Sequence, residues 1–410
     1  FYFYYHKNII GGAEMLFSRL ANWISQHSSY HVYLCDYEDG FTTKAALHHN
    51  IHCITNNKID KINVPSNTLV VCAGFNVYSI NKRFNYDDTS HFFLWSVAPR
   101  NTTKIFHIFS KPIISENKRK KIGLLIKELY DAKSFFFMDE PNYRFPSKFF
   151  RFEIKNVKYM QILIPNEGLL NEYSTQCINK NEIRFVWLSR LDDTKFTAWA
   201  TALLEMNALK YKERCRFFVV GDGLATDKYK EFARNNSSIP VEFVGKLWNN
   251  DLTEFIHQNM DIGLAIGTSA LELSKCGKPT IVIDAYKTVN KPHVVKFNLL
   301  SQMKDFTVGE NFTGDTVRCF YFSDAVDYVI NNYDKCSEDC YKYVRDNFTI
   351  DSVGAKFLDV VSQITDEDVR RSHVALNAIG DEYSNSFIYY YRTIRHLVHK
   401  ASPIKFKPSL

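Results

Sequence analysis

Between residues 183 and 284, short apolar runs alternate with amphipathic stretches of helical length, and this alternation constrains the fold more than any other feature of the chain. The runs are IRFVWLS (183–189), CRFFVVG (215–221), VEFVG (241–245), DIGLAI (261–266) and PTIVID (279–284). Between them lie a helical stretch at 194–209, DKYKEFARNN, NDLTEFIHQN and a helix opening inside AIGTSALELSKCGKPTIVID. A strand buried on both faces reads as an uninterrupted apolar run, and two parallel strands need a crossover long enough to hold a helix. The pattern predicts a doubly wound α/β domain, a parallel sheet with helices on both faces.

The first half repeats the theme more loosely. FYFYY ends near a Gly11-Gly12 step that opens a helix at 13–26, and HVYLCDY, IHCIT, TLVVCAG, HFFLWSV and SFFFMD read as further strands. At 410 residues the chain exceeds one ordinary core, so two domains are expected. The Pro-bearing stretch ILIPNEGLLNEYSTQCINKNE separates them. The expected boundaries are a Rossmann-like domain at 1–165, a linker at 166–182, a second Rossmann-like domain at 183–365, and a closing helix with a basic tail at 366–410. Two such domains on a short linker leave a central cleft, and in these sheets ligands bind where strands end and helices begin.

Composition excludes several classes. A net charge of +6, spread along the chain, does not call for nucleic acid. The nine cysteines form no Cys-x-x-Cys pair, and Cys336 and Cys340 share one helix face, so reduced thiols in a cytoplasmic protein are expected. No apolar run approaches the roughly 20 residues of a membrane-spanning helix. The opening FYFYYHKNIIGGAE has no basic segment ahead of an apolar one, as a secretory signal would. It begins inside a strand-like run without Met, which predicts further residues before Phe1. The acidic clusters DYED and DED read as solvated turns, and no metal site is expected.

Candidate chemistry gathers at the strand ends of the second half. In SRLDDTKF, Arg190 and Lys195 follow the first strand; Arg can fork onto two phosphate oxygens and Lys supplies a mobile charge. Gly221 and Gly223 end the next strand, where Gly-Asp-Gly also suits an ordinary tight turn, and Gly245 and Lys246 leave the strand after it. The stretch 265–284 has two readings. Ser269 followed by Glu272 is a Ser-x-x-Glu capping box. Alternatively, a helix opening at Gly267, Thr268 and Ser269, followed by Ala270 and Leu271, aims N–H groups at an anion while Glu272 accepts the hydroxyls of a ribose.

This ordered set resembles the GT-B glycosyltransferases of the family 4 type. The matching elements are Arg190-Leu191 with Lys195, Gly221-Asp222-Gly223, Phe243-Val244-Gly245, and Leu271-Glu272 with Gly277 and Pro279. Gly11-Gly12-Ala13-Glu14 matches the family's first N-terminal loop, which adds Gly12 to the donor-contact candidates. The resemblance implies two Rossmann-like domains facing a cleft, with a nucleotide-diphosphate sugar as co-substrate held by the second domain and an acceptor held by the first. It further implies that Arg190 and Lys195 neutralise the leaving diphosphate without a metal cofactor, and that Glu272 binds the ribose. The expected activity is that of a hexosyltransferase acting, with retention, on a lipid-linked or surface polysaccharide acceptor.

Two positions depart from the family pattern. A second Glu eight residues before the ribose Glu is replaced by Leu264, and a His after the Trp-bearing strand is replaced within FLWSVAPRN by Ala98 and Pro99; His107 and Asp139 are substitutes to consider. These losses favour the alternative of a non-catalytic nucleotide-sugar-binding protein. NKRKKIGLLIKELY (117–130) is basic and amphipathic: an ordinary surface helix, or one drawn to anionic lipid on the inner face of a membrane. The tail YYYRTIRHLVHKASPIKFKP mixes Tyr, Arg and Lys as membrane interfaces do. No run is followed by Gly-x-Gly-x-x-Gly, which argues against a redox dinucleotide.

Overall fold

The computed structural model describes residues 2–4, 12–36, 40–44, 50–55, 61–108, 111–169, 178, 181–310 and 318–384. It divides into two compact units, residues 1–160 together with 354–410, and residues 161–353.

The first unit is built on six strands: β1 (Tyr2–Tyr4), β2 (Val32–Asp36), β3 (Ile51–Thr55), β4 (Leu69–Ala73), β5 (His91–Ser96) and β6 (Phe135–Phe137). They lie in the order β6-β5-β4-β1-β2-β3, all parallel. Every residue of β4 and β5 is buried, which is why both read as unbroken apolar runs. Helix α1 (Gly12–His27) buries Phe17, Leu20 and Ile24. Helices α2 (Glu116–Asp131) and α3 (Glu140–Phe150) flank β6 in sequence.

The second unit repeats the plan with β7 (Ile183–Leu188), β8 (Cys215–Val220), β9 (Val241–Gly245), β10 (Ile262–Ala265), β11 (Thr280–Val282) and β12 (Asn298–Leu299). Their order is β9-β8-β7-β10-β11-β12; the first five are parallel and β12 is antiparallel to β11. The crossovers carry α4 (Asp193–Asn207), α5 (Thr226–Asn236), α6 (Asn249–Asn259) and the short α7 (Thr268–Ser274), followed by α8 (Phe322–Asn331) and α9 (Tyr333–Phe348). Counted along each unit, both sheets have the order 3-2-1-4-5-6 of doubly wound dinucleotide folds, in which the direction of winding reverses between the first and fourth strands. Cys336 and Cys340 are buried on α9, one turn apart, as their spacing predicts.

The domain boundaries differ from the expected ones. The second unit ends at Val353 rather than at 365, and the chain re-enters the first unit within α10 (Ile350–Ser362), so α11 (Asp366–Ser384) is an integral part of that unit and not an appendage. The reason lies in what these helices bury. A Cβ on Gly354 would stand 2.5 Å from the Trp23 ring, so only glycine admits that approach. Phe357 packs on Phe93 of β5 at 4.8 Å, and α11 buries Ala375, Leu376 and Ile379. Ion pairs Lys133–Asp368 and Arg371–Glu128, both at 2.6 Å, fasten α11 at its start. Most of the expected linker, 170–177 and 179–180, lies outside the described residues.

Candidate active site

In the second unit the winding reverses between β7 and β10, which pair directly at Trp187 and Leu264. The segments leaving their carboxyl ends begin at Ser189 and Ile266, and these segments hold the predicted Arg190–Lys195 and Gly267–Glu272 groups. The sheet topology therefore brings both groups to one crevice, where open α/β sheets take ligands.

The first of these segments is firmly held. The buried Trp187 donates from Nε1 to Ser189 Oγ at 2.9 Å, and Ser189 donates to the carbonyl of Arg190 at 3.0 Å. Asp192, which sequence reasoning passed over, organises the rest. Its Oδ1 caps α4 by accepting from the backbone N–H of Thr194 and Lys195 at 3.0 and 3.2 Å, while its Oδ2 accepts from Arg190 Nε at 2.9 Å. Tyr229 of α5 donates to the Asp192 carbonyl at 3.0 Å. Burial alone raises the Asp192 carboxyl, but hydrogen bonds from Thr194 and Arg190 outweigh it and hold the group below its ordinary value. Lys195 lies in the first turn of α4, not on the preceding loop, and burial lowers its ammonium against the pull of Asp192. Arg190 remains 63% exposed, so an arriving anion can reach it. An Asp followed three residues later by the start of an amphipathic run is a capping signature, and it was the available signal for Asp192.

The glycines sort into two kinds. A Cβ on Gly221 would sit 1.9 Å from the Ser189 carbonyl oxygen, and one on Gly223 would sit 2.3 Å from that of Leu191. These two are explained by close packing of neighbouring loops, which hydrogen bonds then lock: Leu191 N–H to Asp222 O at 3.0 Å and Gly221 N–H to Gly245 O at 2.7 Å. Gly245 (φ +86°) and Gly267 (φ +75°, ψ −150°) need glycine for their backbone angles, yet a Cβ on either would meet nothing within 4 Å. Their backbones face open space at the strand ends, where a ligand can come close. Lys246 is exposed, its ammonium 4.6 Å above the ring of Trp248, itself 60% exposed.

The capping-box reading of the β10–α7 turn is overturned. Helix α7 starts at Thr268 with Gly267 as its N-cap and no side-chain cap, so Ser269 is already inside the helix. Glu272 instead pairs with Lys275, Oε2 to Nζ at 2.5 Å. Among the described residues, the N–H groups of Thr268 and Ser269 have no acceptor, Ala270 and Leu271 are fully buried, and Gly267 is anchored by its N–H to Val308 O at 2.6 Å. Leu264 is buried inside β10 and offers no replacement for a second carboxylate.

In the first unit, Gly12 opens α1 at the end of the segment leaving β1; it is exposed, with open space at its Cβ, whereas Gly11 lies outside the described residues. His107 Nδ1 is bonded to Thr103 O at 2.9 Å with its ring on Phe149, and the buried Asp139 caps α3 through the Asn142 N–H at 3.0 Å. Both are explained by structure alone. The basic stretch of α2 is mostly engaged: Lys121 and Lys118 reach Glu382 of α11 at 2.6 and 3.4 Å, and Arg119 lies over the Phe149 ring. Among the described residues no helix is long and apolar enough to cross a membrane, and no three His, Cys, Asp or Glu side chains gather as metal ligands would.

No protein-family model matches the chain, and no curated protein matches it. Solved structures do. A glycosyltransferase from Rickettsia africae superposes with a TM-score of 0.57 at 14% identity, over 88% of this chain and 97% of that one. HepE from Anabaena, solved with UDP and glucose, superposes with a TM-score of 0.51 at 12% identity, over 88% and 99%. At this level of identity the likeness concerns architecture, and with the two 3-2-1-4-5-6 sheets it settles one point: the chain has the GT-B fold.

Proposed function

We propose that the protein is a glycosyltransferase that takes a sugar from a nucleotide-diphosphate donor held by its second unit. The observation that carries this reading is the placement of Arg190 and Lys195 after β7 and of Gly267–Glu272 after β10, on the two strands between which the winding reverses. Arg190 and Lys195 then receive the diphosphate and stabilise the charge that builds on it as the glycosidic bond to phosphate breaks. Gly221 shapes the rim, the backbones of Gly245 and Gly267 admit the donor, Thr268 and Ser269 supply free N–H groups, and Lys246 flanks the site. Glu272 accepts the ribose hydroxyls. No protein base is assigned, because departing phosphate can take the acceptor's proton when configuration is retained. No step in this scheme uses a metal.

The acceptor is assigned to the first unit, where Gly12 remains a donor-contact candidate, and a lipid-linked or surface saccharide is the class we favour. Its support is the basic character of α2 and of the tail 385–410, which lies outside the described residues. Docking on the inner face of an anionic membrane belongs to the same reading and draws on the tail more than on α2, whose Lys118 and Lys121 already serve Glu382. Binding without transfer is the second reading, favoured by the burial of Leu264 where a donor-sugar carboxylate would stand.

A panel of nucleotide sugars decides between the two. HepE was solved with UDP and glucose, so UDP-hexoses head the panel. Transfer predicts that one donor both raises the melting temperature and is hydrolysed slowly without acceptor. Stabilisation without any hydrolysis or transfer would favour binding alone, and no response to any nucleotide would remove both.

A further inference from the structure

Lys275 is almost fully buried, with 7% of its side chain exposed, and no polar partner for its ammonium is found among the described residues other than Glu272. A lysine rarely goes under without a fixed reason, since an unpaired ammonium removed from water is costly. Its stem is covered by the backbone of Gly168, where a Cβ would come within 3.5 Å of Lys275 Cε. The cation therefore stands in a fixed place one turn beyond Glu272, and its 2.5 Å contact takes up Oε2. Glu272 keeps 20% of its side chain exposed, and its other oxygen, Oε1, has no partner among the described residues. The result is a carboxylate clamped from beneath, with one oxygen and its two lone pairs presented outward.

We infer that Lys275 is a positioning residue that makes Glu272 selective for a vicinal diol, so that the site distinguishes ribonucleotides from their 2′-deoxy counterparts. The inference rests on the proposed contact between Glu272 and the donor ribose. A free carboxylate can rotate to serve a single hydroxyl with either oxygen. One held by Lys275 offers only Oε1, whose two lone pairs suit two neighbouring hydroxyls, and removing one hydroxyl leaves that acceptor half used. Hydrogen bonds to a charged acceptor are the stronger kind, so the missing hydroxyl should cost roughly tenfold in affinity.

Calorimetry with UDP and 2′-deoxy-UDP on the full chain reads this directly, with the GDP and ADP pairs run in parallel to find the base that binds. The expected wild-type preference for the ribo form is roughly tenfold. Lys275→Met fills the same space without holding the carboxylate, and should shrink the preference to about twofold, chiefly by weakening the ribo form. Deoxy binding, carried by the diphosphate, should stay near wild type. Lys275→Gln keeps a donor in the wall without a buried charge; it serves if the Met variant fails to fold, and its preference should fall between the other two. A folded Lys275 variant that keeps the full wild-type ratio overturns the positioning role while leaving Glu272 on the ribose. A wild type that binds both forms equally removes the ribose contact itself, and the inference with it.

Discussion

The placement of Arg190 after β7 was legible in the sequence because a strand followed by a polar step leaves little choice about where the next side chains go. Lys195, expected on the same loop, lies inside α4 because Asp192 caps that helix. Their stability costs should nevertheless differ. Arg190→Ala removes an exposed side chain, so unfolding free energy should move by under about 0.5 kcal/mol while kcat falls by roughly two to three orders of magnitude. Lys195→Ala should lose as much activity and also some stability, since Lys195 is partly buried in the first turn of α4. Parallel urea melts and donor-hydrolysis rates check both, and near-normal turnover in Arg190→Ala would sink the diphosphate assignment. The role of Glu272 was only half legible. A carboxylate three residues from either Ser269 or Lys275 fits a capping box and an ion pair equally well by spacing. What separates them is Gly267, at positive φ, which starts the helix two residues earlier. One consequence changes the test: Glu272→Gln cannot be silent in a melt, because it strands the buried Lys275. Donor affinity should drop about tenfold and the melting temperature should fall as well. Calorimetry beside a thermal melt reads both, and unchanged affinity returns Glu272 to a structural role.

The parallel strands of the two sheets were the best-read elements, their ends predicted to within a residue or two, whereas the two-residue antiparallel β12 was missed because it is too short to carry an apolar run. Glycine motifs were read less well. Gly-Asp-Gly looked like ligand chemistry, yet Gly221 and Gly223 answer to the carbonyls of Ser189 and Leu191. Gly221→Ala should therefore cost about 2 kcal/mol or more in urea unfolding and disorder the Arg190 loop. At Gly267 the penalty is backbone strain of about 1–3 kcal/mol, since nothing stands in the path of a methyl group. Nothing in the sequence announced the contact between β5 and α11. There His91 lies buried against Ser134 and Ser372, its ring bonded to the Lys133 carbonyl at 3.2 Å, with Lys133, Asp368 and His373 as charged or titratable neighbours. Burial lowers its pKa from 6.5 to about 4. Between those values the unfolded chain binds a proton that the folded one refuses, so stability rises with pH there and is lost as pH falls. The slope approaches about 1.4 kcal/mol per pH unit. Urea melts at pH 7 and pH 5 should show this loss in wild type and a smaller one in His91→Gln; equal losses would clear His91.

At the scale of the whole molecule, amphipathic periodicity reports that a helix buries one face but not which sheet receives it. That is why α11 is read from the sequence as a closing helix outside both domains when it is part of the first unit. The same docking bears on membrane attachment. Because Lys118 and Lys121 hold Glu382, reversing them should loosen α11, and the Lys121→Glu/Glu382→Lys exchange should recover the stability that Lys121→Glu alone loses, about 0.2–1 kcal/mol. Lys120, paired among the described residues only with Glu116 at 3.6 Å, is the cleaner probe of lipid. Flotation with phosphatidylserine vesicles should weaken with added salt and with Lys120→Glu, and binding indifferent to salt would exclude the electrostatic reading.

The discontinuity of the first unit sets the order in which the protein can form. A ribosome releases residues 161–353 as one uninterrupted piece, so the second unit is complete before α11 is made. The first unit, although its sheet precedes the second unit in sequence, waits for residues beyond 353 to supply the helix that packs on β5. Until then its apolar strands stay partly unclothed, which is the condition in which nascent chains aggregate or recruit chaperones. A chain halted between Val353 and α11 would thus carry a finished second unit and an unfinished first one. Production of the protein should be limited by how long the sheet of its first unit survives while waiting for α11.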